Sequence, residues 1–208
     1  MPLASCLSPT MTPEGTWTIA DAKTLRGTPY KGTVQISRIG SVYQIFWLSD
    51  RSNFSGLGFY HDNRLCIGWG LDPSFRVVVY RIQEDGTLEG QWTTPQMFGD
   101  IGSERASGEL SSEVEGLYNV SGTYPNKKPP YSNSIAIAKG GEIYQLSSSG
   151  TPKLKGIGLR SGDWFVSNWG YNNNFGVMIY ELDQDTAMGR WTRPGSDQVG
   201  VEKLLKIC

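Results

Sequence analysis

Arg76-Val77-Val78-Val79-Tyr80-Arg81-Ile82-Gln83, then Glu84-Asp85-Gly86, then Thr87-Leu88-Glu89-Gly90-Gln91-Trp92-Thr93-Thr94 reads as two strands around a tight turn. Glycine tolerates the positive φ such a turn requires, and the flanking runs carry β-branched and aromatic side chains. The first strand is apolar on both faces near its middle: Val78, Tyr80 and Ile82 share one side, and Val77 and Val79 lie opposite. With a period of two, one side faces a barrel interior and the other a partner surface. That partner is either a sister unit of the same chain or another chain.

The same hairpin returns later. Met178, Tyr180 and Leu182 repeat one face, Val177 and Ile179 the other, and Gly189-Arg190-Trp191-Thr192 repeats Gly90-Gln91-Trp92-Thr93. Working outward, Glu14-Gly15-Thr16-Trp17 returns as Glu115-Gly116-Leu117-Tyr118, Tyr30 as Tyr131, Tyr43-Gln44 as Tyr144-Gln145, Gly56-Leu57-Gly58 as Gly156-Ile157-Gly158, Trp69-Gly70 as Trp169-Gly170, and Gly102-Ser103-Glu104 as Gly200-Val201-Glu202. The offset is 101 residues at Glu14 and Glu115 and 98 at Gly102 and Gly200. So few gaps over so long a span indicate a duplicated folding unit. Turn signals divide each copy into eight short strands, with His61-Asp62-Asn63 and Lys139-Gly140-Gly141-Glu142 at further hairpins, and the tail Val201–Ile207 is strand by analogy with its counterpart.

The expectation is an all-β chain of two tandem homologous eight-stranded antiparallel meander units, each a β-barrel; a β-sandwich or one fused barrel are the alternatives. The units are residues 14–106 and 115–208, with an N-terminal extension over 1–13 and a polar linker over 107–114. Closure into a barrel removes exposed strand edges.

The chain has 208 residues, 12% aromatic, with 26 glycines and a formal net charge of −1. That balance lacks the positive excess that drives nucleic-acid binding. No apolar run approaches the roughly 20 residues needed to span a bilayer, so no membrane span is expected. The chain as written carries no signal peptide and reads as cytoplasmic. Leu3-Ala4-Ser5-Cys6 looks like the end of a bacterial lipoprotein signal, so a start further upstream would make it exported or lipid-anchored. Cys6, Cys66 and Cys208 make no disulfide framework, and Cys66, in an apolar strand, reads as a buried thiol.

The pieces Gly15-Thr16-Trp17, Tyr30-Lys31-Gly32-Thr33-Val34-Gln35-Ile36, Tyr43-Gln44-Ile45-Phe46-Trp47, Gly56-Leu57-Gly58, Val77-Val78-Val79-Tyr80, Gly90-Gln91-Trp92-Thr93 and Gly102-Ser103-Glu104 resemble, in order, short bacterial proteins of a fibronectin-binding-protein-like family. The second copy departs from the pattern, with Ser132-Asn133 after its tyrosine and Ser147-Ser148 in place of Phe46-Trp47. The opening Gly-x-Trp is also similar to that of avidins and lipocalins, the eight-stranded ligand-binding barrels of calycin type. The first resemblance implies surface-protein binding, the second a ligand cup; neither supplies a catalytic motif.

Catalytic and metal-binding chemistry are poorly supplied, and no catalytic residue, metal site or cofactor is expected. The single histidine, His61, sits at a turn, and no Cys-x-x-Cys is present. The matched carboxylates Glu104 and Glu202 read as structural groups, each bonding a backbone end or a tyrosine hydroxyl in its own unit. Trp69, Trp92, Trp169 and Trp191 recur and read as core. Trp47 and Trp164 occur in one copy only, so they are free of a fold-wide duty and are candidates for a ligand mouth or partner surface. His61 and the loop Tyr171-Asn172-Asn173 complete the candidate binding residues; the loop offers stacking and amide hydrogen bonds to a sugar. The expected function is non-enzymatic binding, with a protein partner or accessory-subunit role first, a carrier of a small apolar or sugar ligand second, and a barrel enzyme using His61 or Glu104 third. Inward side-chain volume discriminates: filled barrels favour the first role, an open cup the second.

Overall fold

The computed structural model describes residues 11–108, 114–125, 128–150, 154–171 and 173–207. The Leu3–Cys6 stretch, Cys208, Asn172 and most of the expected linker lie outside them. The strands in chain order are β1 (Gly15–Ala22), β2 (Gly32–Ile39), β3 (Val42–Ser49), β4 (Asn53–His61), β5 (Arg64–Gly70), β6 (Phe75–Ile82), β7 (Leu88–Thr93), β8 (Gly102–Gly108), β9 (Gly116–Thr123), β10 (Tyr131–Gly140), β11 (Ile143–Ser148), β12 (Lys155–Ser161), β13 (Trp164–Gly170), β14 (Phe175–Asp183), β15 (Thr186–Thr192) and β16 (Gly200–Lys206). The one helical element among the described residues is a 3₁₀ turn, Pro95–Met97. The tail is strand, as its counterpart predicts. The His61-Asp62-Asn63 hairpin is also present, with Asp62 and Asn63 at φ of 47° and 59°, the paired positive values of a primed turn.

The strands close into two eight-stranded antiparallel barrels. The sequence repeats, however, are not the barrels. Barrel 2 is the contiguous meander β6 to β13, closed by β13 pairing with β6. Barrel 1 joins β1–β5 to β14–β16 through the β5–β14 and β16–β1 pairs. Each copy therefore keeps its first five strands together and lends its last three to the other barrel. The boundaries 14–106 and 115–208 mark the duplication and not the packed bodies. The physical reason is that β5 and β13 run on into β6 and β14 through segments of only four residues (71–74 and 171–174), which cross from one barrel to the other. The two crossings are tied by the Leu71 N–H donating to the Asn174 carbonyl at 2.9 Å. What was expected to be a linker instead connects β8 to its hairpin neighbour β9 within barrel 2.

Three apolar clusters follow from the alternation. The interior of barrel 1 holds Trp17, Ile45, Trp47, Leu65, Met178 and Tyr180, and that of barrel 2 holds Val78, Tyr80, Tyr118, Tyr144 and Phe165. Between the barrels lie Leu57, Phe59, Cys66, Val177 and Ile179 of barrel 1 against Val77, Val79, Ile157, Leu159 and Val166 of barrel 2. The second apolar faces of β6 and β14 are thus covered by the sister barrel. Each such side chain, fully buried, contributes on the order of 1.5–3 kcal/mol, so the pair of barrels is held by a core-like interface. Cys66 is buried there, and burial pushes its thiol up to about 12.

Polar groups fix the register of this interface. The buried Asn168 of β13 donates through Nδ2 to the carbonyls of Trp69 (2.9 Å) and Gly176 (2.8 Å) in barrel 1. Its counterpart is Gly68, where an added Cβ would stand 2.6 Å from the Val77 Cβ and 2.8 Å from the Asn168 amide, so only glycine lets the strands approach so closely.

Candidate ligand-binding cups

The same polar network is built twice inside the barrels. In barrel 1 the Glu202 carboxylate of β16 accepts from the Tyr30 hydroxyl at 2.6 Å and from the Tyr180 hydroxyl, and Tyr180 in turn accepts from Trp47 Nε1 at 2.9 Å. In barrel 2 the Glu104 carboxylate of β8 accepts from Tyr131 at 2.6 Å, from Tyr80 and from the Arg76 guanidinium. The expectation that these carboxylates bond tyrosine hydroxyls holds, with one correction. Because the strands are exchanged, each glutamate bonds one tyrosine of its own copy (Tyr180 or Tyr80) and one of the other (Tyr30 or Tyr131). Burial, then the neighbouring glutamate, raises all four tyrosines. Burial also raises Glu202, against the lowering effect of its hydroxyl donors.

Both networks sit below a cup at the end of the barrels where the chain crosses over. The cup of barrel 1 is about 490 Å³ and is lined by Tyr30, Phe54, Trp69, Met178 and Trp191, with Arg26, Arg51 and Arg193 also among its lining residues. Phe54 stacks on Trp47 at 4.6 Å and tilts against Trp69 at 5.2 Å, and Trp69 meets Trp191 edge-on at 6.5 Å. The Trp69 indole N–H is buried without an acceptor. The Trp191 indole N–H is likewise buried without an acceptor. The cup of barrel 2 is smaller, about 350 Å³, and is lined by Arg76, Gln96, Glu104, Asn133, Ser148, Trp169 and Tyr171 among others. Its Arg76 packs over the Trp92 ring at 4.1 Å. Burial works to lower Arg76, but the Glu104 carboxylate beside it and Tyr131 outweigh that and raise it.

The candidate residues separate into three places. Trp47 is fully buried beneath the cup of barrel 1, where it supports Phe54 and Tyr180 and lines no mouth. Tyr171 lines the barrel 2 cup, Asn173 is exposed on the adjoining crossing, and Asn172 lies outside the described residues. His61 and Trp164, singled out on separate grounds, meet: their rings stack at 4.4 Å and 6°. Trp164 donates to Asp62 at 2.9 Å, Arg81 covers its ring at 5.0 Å, and Arg81 pairs with Asp62 at 2.8 Å. The Trp164 ring is therefore already engaged by protein, and this cluster ties the β4–β5 turn of barrel 1 to barrel 2. Burial, with Arg81 assisting, holds His61 below its usual range against the pull of Asp62. A broad open groove of about 820 Å³ runs from it along the outside of barrel 2.

The residues that sequence reasoning missed are Tyr30, Tyr131, Arg76 and the three arginines of the barrel 1 cup. The tyrosines carried a signal, since both recur; Arg76 carried one in its replacement by Gly176. Among the described residues no group of three His, Cys, Asp or Glu side chains is placed to hold a metal ion, and no helix is long and apolar enough to cross a membrane. Comparison with protein-family models, curated proteins and solved structures finds no match to this chain.

Proposed function

We propose that the chain is a non-enzymatic small-ligand-binding protein that takes its ligand in the cup of barrel 1. The observation that carries this reading is the open, aromatic-lined cup of about 490 Å³, within the usual size of a small-molecule site. The buried, unpaired Trp69 N–H adds a donor in its wall, and an unsatisfied buried donor costs free energy that a ligand acceptor would recover. Burial of the two-faced strands against each other removes the chief physical ground for requiring another chain. A protein-contact role is supported by a different observation: Phe46, Leu48, Leu205 and Ile207 are exposed on one outer face of barrel 1. Native mass spectrometry of protein gently purified from its own cells tests both. A small molecule on a lone chain supports the carrier reading; a stoichiometric protein partner with an empty cup replaces it with the second.

A further inference from the structure

We infer that the barrel 1 cup is selective for a single-tailed amphiphile with an anionic head, bound tail-down with its head at the arginine rim. This rests on the small-ligand reading above and names the ligand class. The cup is lined by three guanidinium side chains and no carboxylate. Arg26, Arg51 and Arg193 are all exposed, and none of them is within ion-pair distance of a carboxylate among the described residues. They come from three separate turns, after β1, after β3 and after β15, so they surround the opening and do not form a single-strand patch. Guanidinium groups gathered at one opening recognise carboxylate and phosphate oxygens through paired N–H donors.

Depth sets the orientation. Below the rim the wall becomes Phe54, Trp69, Met178 and Trp191, which suits an alkyl tail. At the floor Tyr30 donates its proton to Glu202, so an anionic head placed there would meet a carboxylate and an already committed hydroxyl. The repeat keeps this arrangement only in part: Arg51 and Arg193 correspond to Thr151 and Thr94, while Arg26 corresponds to another cation, Lys127. Inside the barrel 2 cup lies a further cation, Arg76, already paired with Glu104. The site with all three arginines is the barrel 1 cup, so one tight site per chain is expected.

The test is calorimetric titration of the full chain with decanoate, decyl phosphate and, as the uncharged control, decanol. The expected result is one site per chain, with the acids binding at least tenfold more tightly than the alcohol. Arg51→Ala combined with Arg193→Ala, both at exposed positions that leave the core intact, should abolish that preference, bringing the acids down to the affinity of the alcohol for the same variant. Preference for decyl phosphate over decanoate, or the reverse, identifies which anionic head the rim suits. Equal binding of acid and alcohol, unchanged by the double substitution, would overturn the head-group assignment while leaving the cup as a ligand site. No binding of any of the three would overturn the assignment and count against the small-ligand reading as well.

Discussion

Barrel 1 and barrel 2 share a strand plan, a buried Tyr–Glu–Tyr network and a pair of tryptophans, yet two exchanges of residue give them different interiors. Where barrel 1 has Trp47 beneath its cup, barrel 2 has Ser148. Where barrel 2 has Arg76, barrel 1 has Gly176. The indole of Trp47 fills the base of barrel 1 and props Phe54 and Tyr180, which leaves an aromatic cup above a floor where phenols bond the Glu202 carboxylate. The guanidinium of Arg76 lies instead in the cup of barrel 2 and pairs with Glu104 directly. Duplication has kept the network that orders the barrel and varied the residues that decide what each cup would accept.

The difference between the barrels weighs most at Trp47. Trp47→Ser, which writes the barrel 2 residue into barrel 1, should cost about 3–5 kcal/mol through the cavity and the lost N–H to Tyr180; a denaturant midpoint within error of the parent would show that the prop is dispensable. Next is Glu104→Ala, which strands the Arg76 guanidinium. Because that side chain is 28% exposed, the expected cost lies near the lower end of the range for a broken buried pair, about 3 kcal/mol, and Arg76→Gly in the same chain should recover part of it. Gly176→Ala is smaller, roughly 1–3 kcal/mol from overpacking, because the added Cβ would stand 2.3 Å from the Thr192 carbonyl oxygen and 2.4 Å from the Trp69 ring. Equilibrium unfolding by circular dichroism reads all three.

The smallest effect is a slope with pH. Burial raises Glu202 in the folded chain, so the folded state holds that proton more tightly than the unfolded one. The associated stability is fully present below the unfolded value near 4.5 and is lost as pH rises through the raised folded value. Glu202→Gln should flatten this fall as pH rises above about 4.5. An unchanged slope would place the titration elsewhere.

Much of this was legible in the sequence. Alternation at Val77–Ile82 gave strands apolar on both faces, and the duplication gave two eight-stranded barrels. The exchange was not legible, because β5 and β13 present the same edge: Ile67 can lie opposite Val78 or Met178 with little change of side-chain chemistry. Periodicity states which face is buried but not which copy covers it. The candidate site was read in part. Trp47 and Trp164 do differ between copies, but their freedom from a shared duty reflects a local prop and an inter-barrel tie, not a mouth. The rim arginines left no sequence signal, since Arg26, Arg51 and Arg193 are far apart in the chain and converge only when β14–β16 close barrel 1.

The cup depends on that closure, because it joins Tyr30 and Arg51 of one copy to Met178, Trp191 and Arg193 of the other. Cross-strand nuclear Overhauser effects on the unaltered chain read the closure itself. Exchanged barrels require backbone contacts between Ile67 and Met178, which lie opposite each other in the β5–β14 pair. Contacts between Ile67 and Val78 instead, with none to Met178, would show unexchanged repeats and contradict it.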